Sequence, residues 1–217
     1  MAKIAVDAVL LPSDEMMDKA IEANKGLLKQ FIGFLQGGIP DKIVLDKKNC
    51  LPHISLAMGC IDEKDIAVIE KILQTIAKQH SLGQLCVIDI RVGTNSVGEK
   101  VSVFQIERTK TLRLLHKEIM RRLAQYFSYD VTADMVLSPP EASESTLLWI
   151  KKYPEKSSFE KFSPHITIGY GELNDFSFGS REAGALPMKF TASRLALCHL
   201  GNHCTCRKIL ASTEIES

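Results

Sequence analysis

The sequence predicts an α+β fold made of two related halves, and three observations predict it. A short motif occurs twice, as Leu51-Pro52-His53-Ile54-Ser55-Leu56-Ala57-Met58-Gly59 and as Ser163-Pro164-His165-Ile166-Thr167-Ile168-Gly169-Tyr170-Gly171. The elements around the two copies recur in a similar order: helix, motif strand, helix and two strands, then helix, motif strand and two strands. The chain has 217 residues and is 45% hydrophobic, enough for one sizeable core or two small lobes.

Residues 3–11 read as a strand ending at Pro12, and Ser13 or Asp14 caps a helix that runs to about Phe34. Met17, Ala20, Ile21, Leu27, Leu28, Phe31 and Leu35 form its apolar stripe, and Gly37-Gly38-Ile39-Pro40 stops it. Residues 41–50 make a polar loop or short strand leading into the first motif. Each motif copy reads as a strand: proline opens it, β-branched and aliphatic residues fill it, and glycine ends it. Asp62 caps a helix to about His80, with Ile66, Ile69, Leu73 and Ile76 at helical spacing. Strands at about 84–92 and 101–108 follow, joined by a hairpin loop. Thr109 or Thr111 starts a third helix with Leu112, Leu115, Ile119, Leu123 and Tyr126 as its buried stripe. Its opposite face, Lys110, Arg113, Lys117 and Arg121, reads as solvated surface, with an RNA-backbone track as the functional alternative. Residues 138–145 are loop and Leu147-Leu148-Trp149-Ile150 a short strand. After a loop at 171–187, strands at about 188–200 and 204–212 close the chain around a tight turn at Gly201-Asn202.

The motifs carry the chemistry. Side chains alternate along a strand, so His53 and Ser55 share one face, and so do His165 and Thr167. Brought together, the strands offer two imidazoles and two hydroxyls. With an ordinary pKa of ~6.5, one imidazole can hold a proton while the other does not. The hydroxyls can donate to an oxyanion without adding charge. Phosphodiester cleavage needs this set: a base for the nucleophile, an acid for the leaving oxygen, and donors for the phosphoryl oxygens.

At these residues the chain resembles the two-histidine (2H) phosphoesterase superfamily, which includes the LigT-like 2′–5′ RNA ligases and cyclic phosphodiesterases. The resemblance covers nearly the whole chain. It implies one bilobal domain over residues 1–217: two pseudo-symmetric lobes, each an antiparallel sheet with helices outside, and an active-site cleft between them. It also implies that the terminal strands share a lobe. By resemblance His53 and His165 are the acid–base pair, and Ser55 and Thr167 hold the phosphate. Neither metal nor other cofactor is implied, and the cyclic phosphodiesterases point to His165 as base and His53 as acid. The expected substrates are 2′,3′-cyclic phosphate ends, cyclic dinucleotides or 2′–5′-linked oligonucleotides. The alternatives are a silent nucleotide- or RNA-binding module and a ligase running the reverse reaction.

Other groups are weighed against plainer roles. Tyr170, Trp149 and Phe104 are candidates for stacking on a base, although each alone suits core packing. Arg91, Lys100 and Arg108 are possible phosphate contacts. Cys198, His199, His203, Cys204 and Cys206 cluster around the last turn. A two-residue turn would set His199 opposite Cys204 with Cys206 on the same face, but the spacing matches no usual structural zinc pattern. A zinc-stabilised interaction protein is the reading this cluster would support. Cys50 falls on the opposite face of its strand from His53, and His80 and His116 read as surface residues.

Composition narrows the partners. With 27 basic and 26 acidic residues the chain is nearly neutral, unlike proteins that grip long nucleic acid. A small nucleotide or an RNA end is the expected partner of a monomer. The opening Lys3–Leu11 run is broken by Asp7 and reads as a strand rather than a signal peptide. No stretch is long and apolar enough to span a membrane, and the six cysteines follow no disulfide spacing. A cytoplasmic protein with reduced thiols is expected.

Overall fold

The computed structural model describes residues 2–32, 42–95, 98–173 and 186–216. The expected end of the first helix and most of the loop at 171–187 lie outside them. Among these residues eight strands form one antiparallel sheet: β1 (Lys3–Pro12), β2 (Ile54–Asp62), β3 (Leu85–Thr94), β4 (Lys100–Ile106), β5 (His165–Tyr170), β6 (Met188–Phe190), β7 (Ala192–Gly201) and β8 (Thr205–Glu214). Their spatial order is β6-β3-β4-β5-β2-β1-β7-β8. The fold class is therefore α+β, and the sheet divides into two groups of four. The groups meet where the two motif strands pair, through Ile54 and Ile166. As expected, the first strand and the last two lie in the same group.

The helices are α1 (Asp14–Ile32), α2 (Ile66–Gln79), α3 (Lys110–Leu123) and α4 (Glu144–Lys156). They back the sheet crosswise: α1, from the start of the chain, packs on β5, whereas α3 packs on β2. Thr109 starts α3 by accepting the Leu112 amide on its side-chain oxygen. Leu112, Leu115, Ile119 and Leu123 are buried as the periodicity requires, while Tyr126 lies beyond the helix and is half-buried.

Four local expectations are corrected. Leu147–Ile150 is helix, not strand. Ser143 caps α4 by accepting the Thr146 amide, and the buried Thr146, Ile150 and Tyr153 recur at helical spacing. Asp62 ends β2 and makes no side-chain cap; a short 3₁₀ turn intervenes before α2 begins at Ile66. The strand expected over 188–200 is two strands broken at Thr191, with β6 pairing β3 and β7 pairing β1. The last turn is not a two-residue hairpin either. Gly201 pairs with Thr205 around a 3₁₀ turn at Asn202–Cys204, and two bulges shift the register so that His199 faces Lys208 rather than Cys204.

That register also decides the cysteines. Cys198 and Cys206 are joined as a disulfide, so the expectation of six free thiols is corrected. Cys50, Cys60, Cys86 and Cys204 are free. Among the described residues no group of three or more His, Cys, Asp or Glu side chains could hold a metal ion, the cluster at 198–206 included. No helix among them is long and apolar enough to cross a membrane.

Candidate functional site

The motif strands deliver their side chains as the alternation demands. Ile54, Leu56, Ile166 and Ile168 are fully buried in the core, while His53, Ser55, His165 and Thr167 are half-buried on the other face. All four line one cleft of about 480 Å³. Because β2 and β5 run antiparallel through the Ile54–Ile166 pair, His53 flanks Thr167 and Ser55 flanks His165. Each imidazole thus has a hydroxyl from the other strand beside it.

A backbone carbonyl holds each imidazole. In both copies the histidine Nδ1 lies 2.8 Å from the carbonyl two residues back, Leu51 O for His53 and Ser163 O for His165. A carbonyl only accepts, so each Nδ1 carries the hydrogen and each neutral ring keeps its lone pair on Nε2. Loss of water around the rings disfavours their charged forms. Burial pushes His53 down to about 4, against the favourable Leu51 carbonyl, and the charge that His165 takes up adds to the push. Burial lowers His165 as well, against its Ser163 carbonyl.

Two buried polar side chains hold the motif strands by equivalent contacts. On α1, Asn24 Nδ2 donates to Ile168 O of β5 at 2.7 Å and to Ile43 O at 2.9 Å, and its Oδ1 accepts the Leu45 amide. On α3, His116 Nδ1 donates to Leu56 O of β2 at 2.7 Å, and its Nε2 accepts the Phe159 amide at 2.7 Å. Leu56 and Ile168 are each the third residue after the motif histidine. Ile43 and Leu45 lead into the first motif, and Phe159 leads into the second. Each tie therefore fastens one motif strand to the approach of the other. His116 is fully buried and stacked on Phe162 at 4.0 Å, which corrects its reading as a surface residue. Burial pushes it down to about 4, so it stays in the tautomer that the two bonds require.

The other sequence candidates separate cleanly. Trp149 and Tyr170 line the cleft, and Trp149 is 43% exposed. Phe104 is fully buried in the core and does not reach it, so it is removed from the stacking candidates. Arg91 lines the cleft and pairs with Asp89. Lys100 pairs with Glu172 away from it, and Arg108 holds the carbonyls of Phe159 and Glu160. The supposed basic track on α3 is broken, since Lys117 pairs with Glu160 and Arg113 is half-buried.

Several cleft residues were not legible as such in the sequence. Lys156 and Lys161 join Arg91 on its walls, and no Asp or Glu is among the described lining residues. Gln105 also lines it and donates to Pro164 O, steadying the approach to His165. His203 enters from the last turn in a left-handed conformation, φ 60°, which is costly for a non-glycine residue. Asn202 secures it. Asn202 Oδ1 accepts from the Ser143 amide, the Thr146 hydroxyl and the His203 amide, which leaves Nδ2 to face His203 Nε2. His203 therefore carries its hydrogen on Nδ1 and donates it to Tyr170 Oη at 2.7 Å. The only sequence signal for His203 was its place in the Cys/His cluster.

No protein-family model and no curated protein matches the chain. Among solved structures it is similar to E. coli LigT in its apo form, at 13% identity and a TM-score of 0.47 over the whole of both chains. It is similar to E. coli LigT complexed with 3'-AMP at 12% identity and a TM-score of 0.47, again over both whole chains. A crystal structure of a phosphoesterase is similar at 12% identity and a TM-score of 0.47 over 99% of each chain. Likenesses of this size carry no argument about chemistry, which is left to the geometry of the cleft.

Proposed function

We propose that this protein is a phosphodiesterase of the two-histidine type, working without a metal on small RNA-type substrates such as 2′,3′-cyclic phosphates. The observation that carries the reading is the convergence of both His-x-Ser/Thr triplets in one cleft. Its walls hold Arg91, Lys156 and Lys161 and, among the described residues, no carboxylate. Such a lining favours a phosphate and repels no anion. Trp149 and Tyr170, which line it, would be the residues to cover a base, and one or two nucleotides are the size that a cavity of about 480 Å³ suits.

In hydrolysis of a cyclic phosphate, one Nε2 takes a proton from water while the other ring protonates the ribose oxygen leaving in line on the far side of phosphorus. Ser55 and Thr167 donate to the non-bridging oxygens. Burial favours the neutral form of both rings, and an anion between them raises their affinity for a proton. The acid is thus armed as the substrate binds. A charge on His165 depresses His53, which favours His165 as the acid and His53 as the base. This is the reverse of the assignment expected from resemblance.

Hydrolysis of a panel of cyclic nucleotides and 2′–5′-linked dinucleotides in the presence of a strong chelator tests the reading. Turnover with EDTA is expected; loss restored by added zinc would sink the metal-free mechanism. A substrate with sulfur as leaving atom tests the roles, because a thiolate departs without a proton. His165→Ala should recover most of its rate on that substrate and His53→Ala should not. The opposite pattern reverses the assignment.

A further inference from the structure

Asp7 lies in the middle of β1, between β2 and β7, among the fully buried Ala5, Val6, Ala8 and Val9, and is itself fully buried. Among the described residues no Lys, Arg or His side chain pairs with it. Its carboxyl oxygens lie within reach of the Ser55 hydroxyl and the Leu56 and Ala57 amides of β2, without closing a well-aligned hydrogen bond to any of them. A buried charge with neither counter-ion nor full hydrogen bonding is costly, so the site selects the uncharged acid.

The groups around it do not supply the missing charge. Tyr153 faces it from α4 and Cys204 from the β7–β8 turn, and burial holds both in their neutral forms. From β2 its cross-strand partner is Met58, and from β7 it is Cys198, which is tied up in the disulfide. Ser55 is the motif hydroxyl within its hydrogen-bonding reach, and Ser55 opens on the cleft. In the second motif Thr167 lies across from Val103 on β4, and no carboxyl among the described residues is shown beside it.

We propose that Asp7 is a positioning residue for Ser55: its carboxyl O–H donates to Ser55 Oγ, which turns the serine's own O–H into the cleft to donate to a phosphoryl oxygen. The proposal rests on the phosphodiesterase reading of the cleft. A carboxylic acid can donate, whereas a carboxylate only accepts. Ionised Asp7 would draw the Ser55 proton inward and leave the substrate facing a lone pair. Burial pushes the Asp7 carboxyl up to about 8, so the donor form prevails at neutral pH and is lost above that value. Asparagine keeps a donor at every pH.

The test compares wild type with Asp7→Asn on a 2′,3′-cyclic nucleotide across a pH series, because the ratio of rates cancels the histidines. The ratio should be flat below about 8 and fall by about tenfold per pH unit above it. In a Ser55→Ala background Asp7→Asn should change nothing, and in a Thr167→Ala background the fall should persist. Infrared difference spectra of wild type minus Asp7→Asn, taken without substrate, should show a protonated-carboxyl band near neutrality that disappears well above pH 8. A missing band overturns the proposal while leaving the phosphodiesterase reading intact, and a flat ratio with the band present also overturns it. A wild-type protein that shows the band yet cleaves no cyclic nucleotide overturns the reading of the cleft and the proposal together. Should Asp7→Asn fail to fold, Ser55→Ala measured against Thr167→Ala replaces it. The alkaline fall must then be missing in the first and present in the second, and its persistence in both overturns the proposal.

Discussion

At the scale of single residues, the cleft joins catalytic need to folding cost. Asp7 is protonated in the folded chain up to about 8, against 3.8 for an ordinary carboxyl. Between those values the folded state holds a proton that the unfolded state lacks, so the stability this group contributes is lost as pH rises through the window. Asp7→Asn should therefore gain on wild type in melting temperature from pH 4 to 8 and hold the gain above, as thermal denaturation at a series of pH values would reveal. His116 runs the other way. Its pKa is lowered from 6.5 to about 4, so its contribution is present above 6.5 and lost as pH falls through 4. His116→Gln should cost most near neutrality and least in acid. For the hydroxyls the expectation is kinetic: Ser55→Ala and Thr167→Ala should each lower kcat, by on the order of 10²–10³ if they act as oxyanion donors do elsewhere. Unchanged turnover in steady-state assays would make both structural.

At the scale of elements, the two motif strands are positioned by helices from the opposite part of the chain. Asn24 on α1 and His116 on α3 reach the equivalent carbonyls of Ile168 and Leu56, so the same problem is solved twice with different residues. Asn24→Leu leaves Ile43 O and Ile168 O without their buried donor and should destabilise the fold by about 1–3 kcal/mol in chemical denaturation. A glycine inside each motif strand is closely packed as well. A Cβ on Gly169 would stand 2.9 Å from Asn24 Nδ2, at a φ of +152° that other residues rarely adopt. A Cβ on Gly59 would stand 2.9 Å from the Phe127 ring. Gly169→Ala should cost about 1–3 kcal/mol or more, since strain and displacement of Asn24 add. A melting temperature equal to wild type would show that β5 tolerates the shift.

At the scale of the whole molecule, strands from both ends of the sequence interleave. β1 and β2 complete their half of the sheet only with β7 and β8, and β3 and β4 only with β5 and β6. A chain divided between Arg108 and Thr109 leaves each fragment with both halves of the sheet unfinished. Neither fragment should show dispersed amide resonances alone, and the two refolded together should regain them. A folded isolated fragment would contradict this interdependence.

The sequence by itself determined the features that depend on local periodicity: the alternation that puts each histidine and hydroxyl on one face, the apolar stripe of α3, and the prolines that precede the motif strands; the glycine expected to end the first of them does not, since β2 runs through Gly59 to Asp62. Repetition of His-x-Ser/Thr in matching contexts made the site legible, because a strand's facing is a property of its own residues. What depended on distant partners was not legible. Asp7 interrupts an apolar run and looks like a polar break, yet β2 and β7 enclose it completely. His116 has the spacing of a helix side and nothing to say which side, until α3 meets β2 and Phe162 covers the ring. The run at 147–150 favours strand by composition, and the Ser143 cap together with contacts to the Asn202 turn made it helix. The last hairpin differs most, because two bulges decide which residues face each other across β7 and β8, and so which cysteines meet. Pairing register is set by the packing of whole strands, and no single strand contains that information.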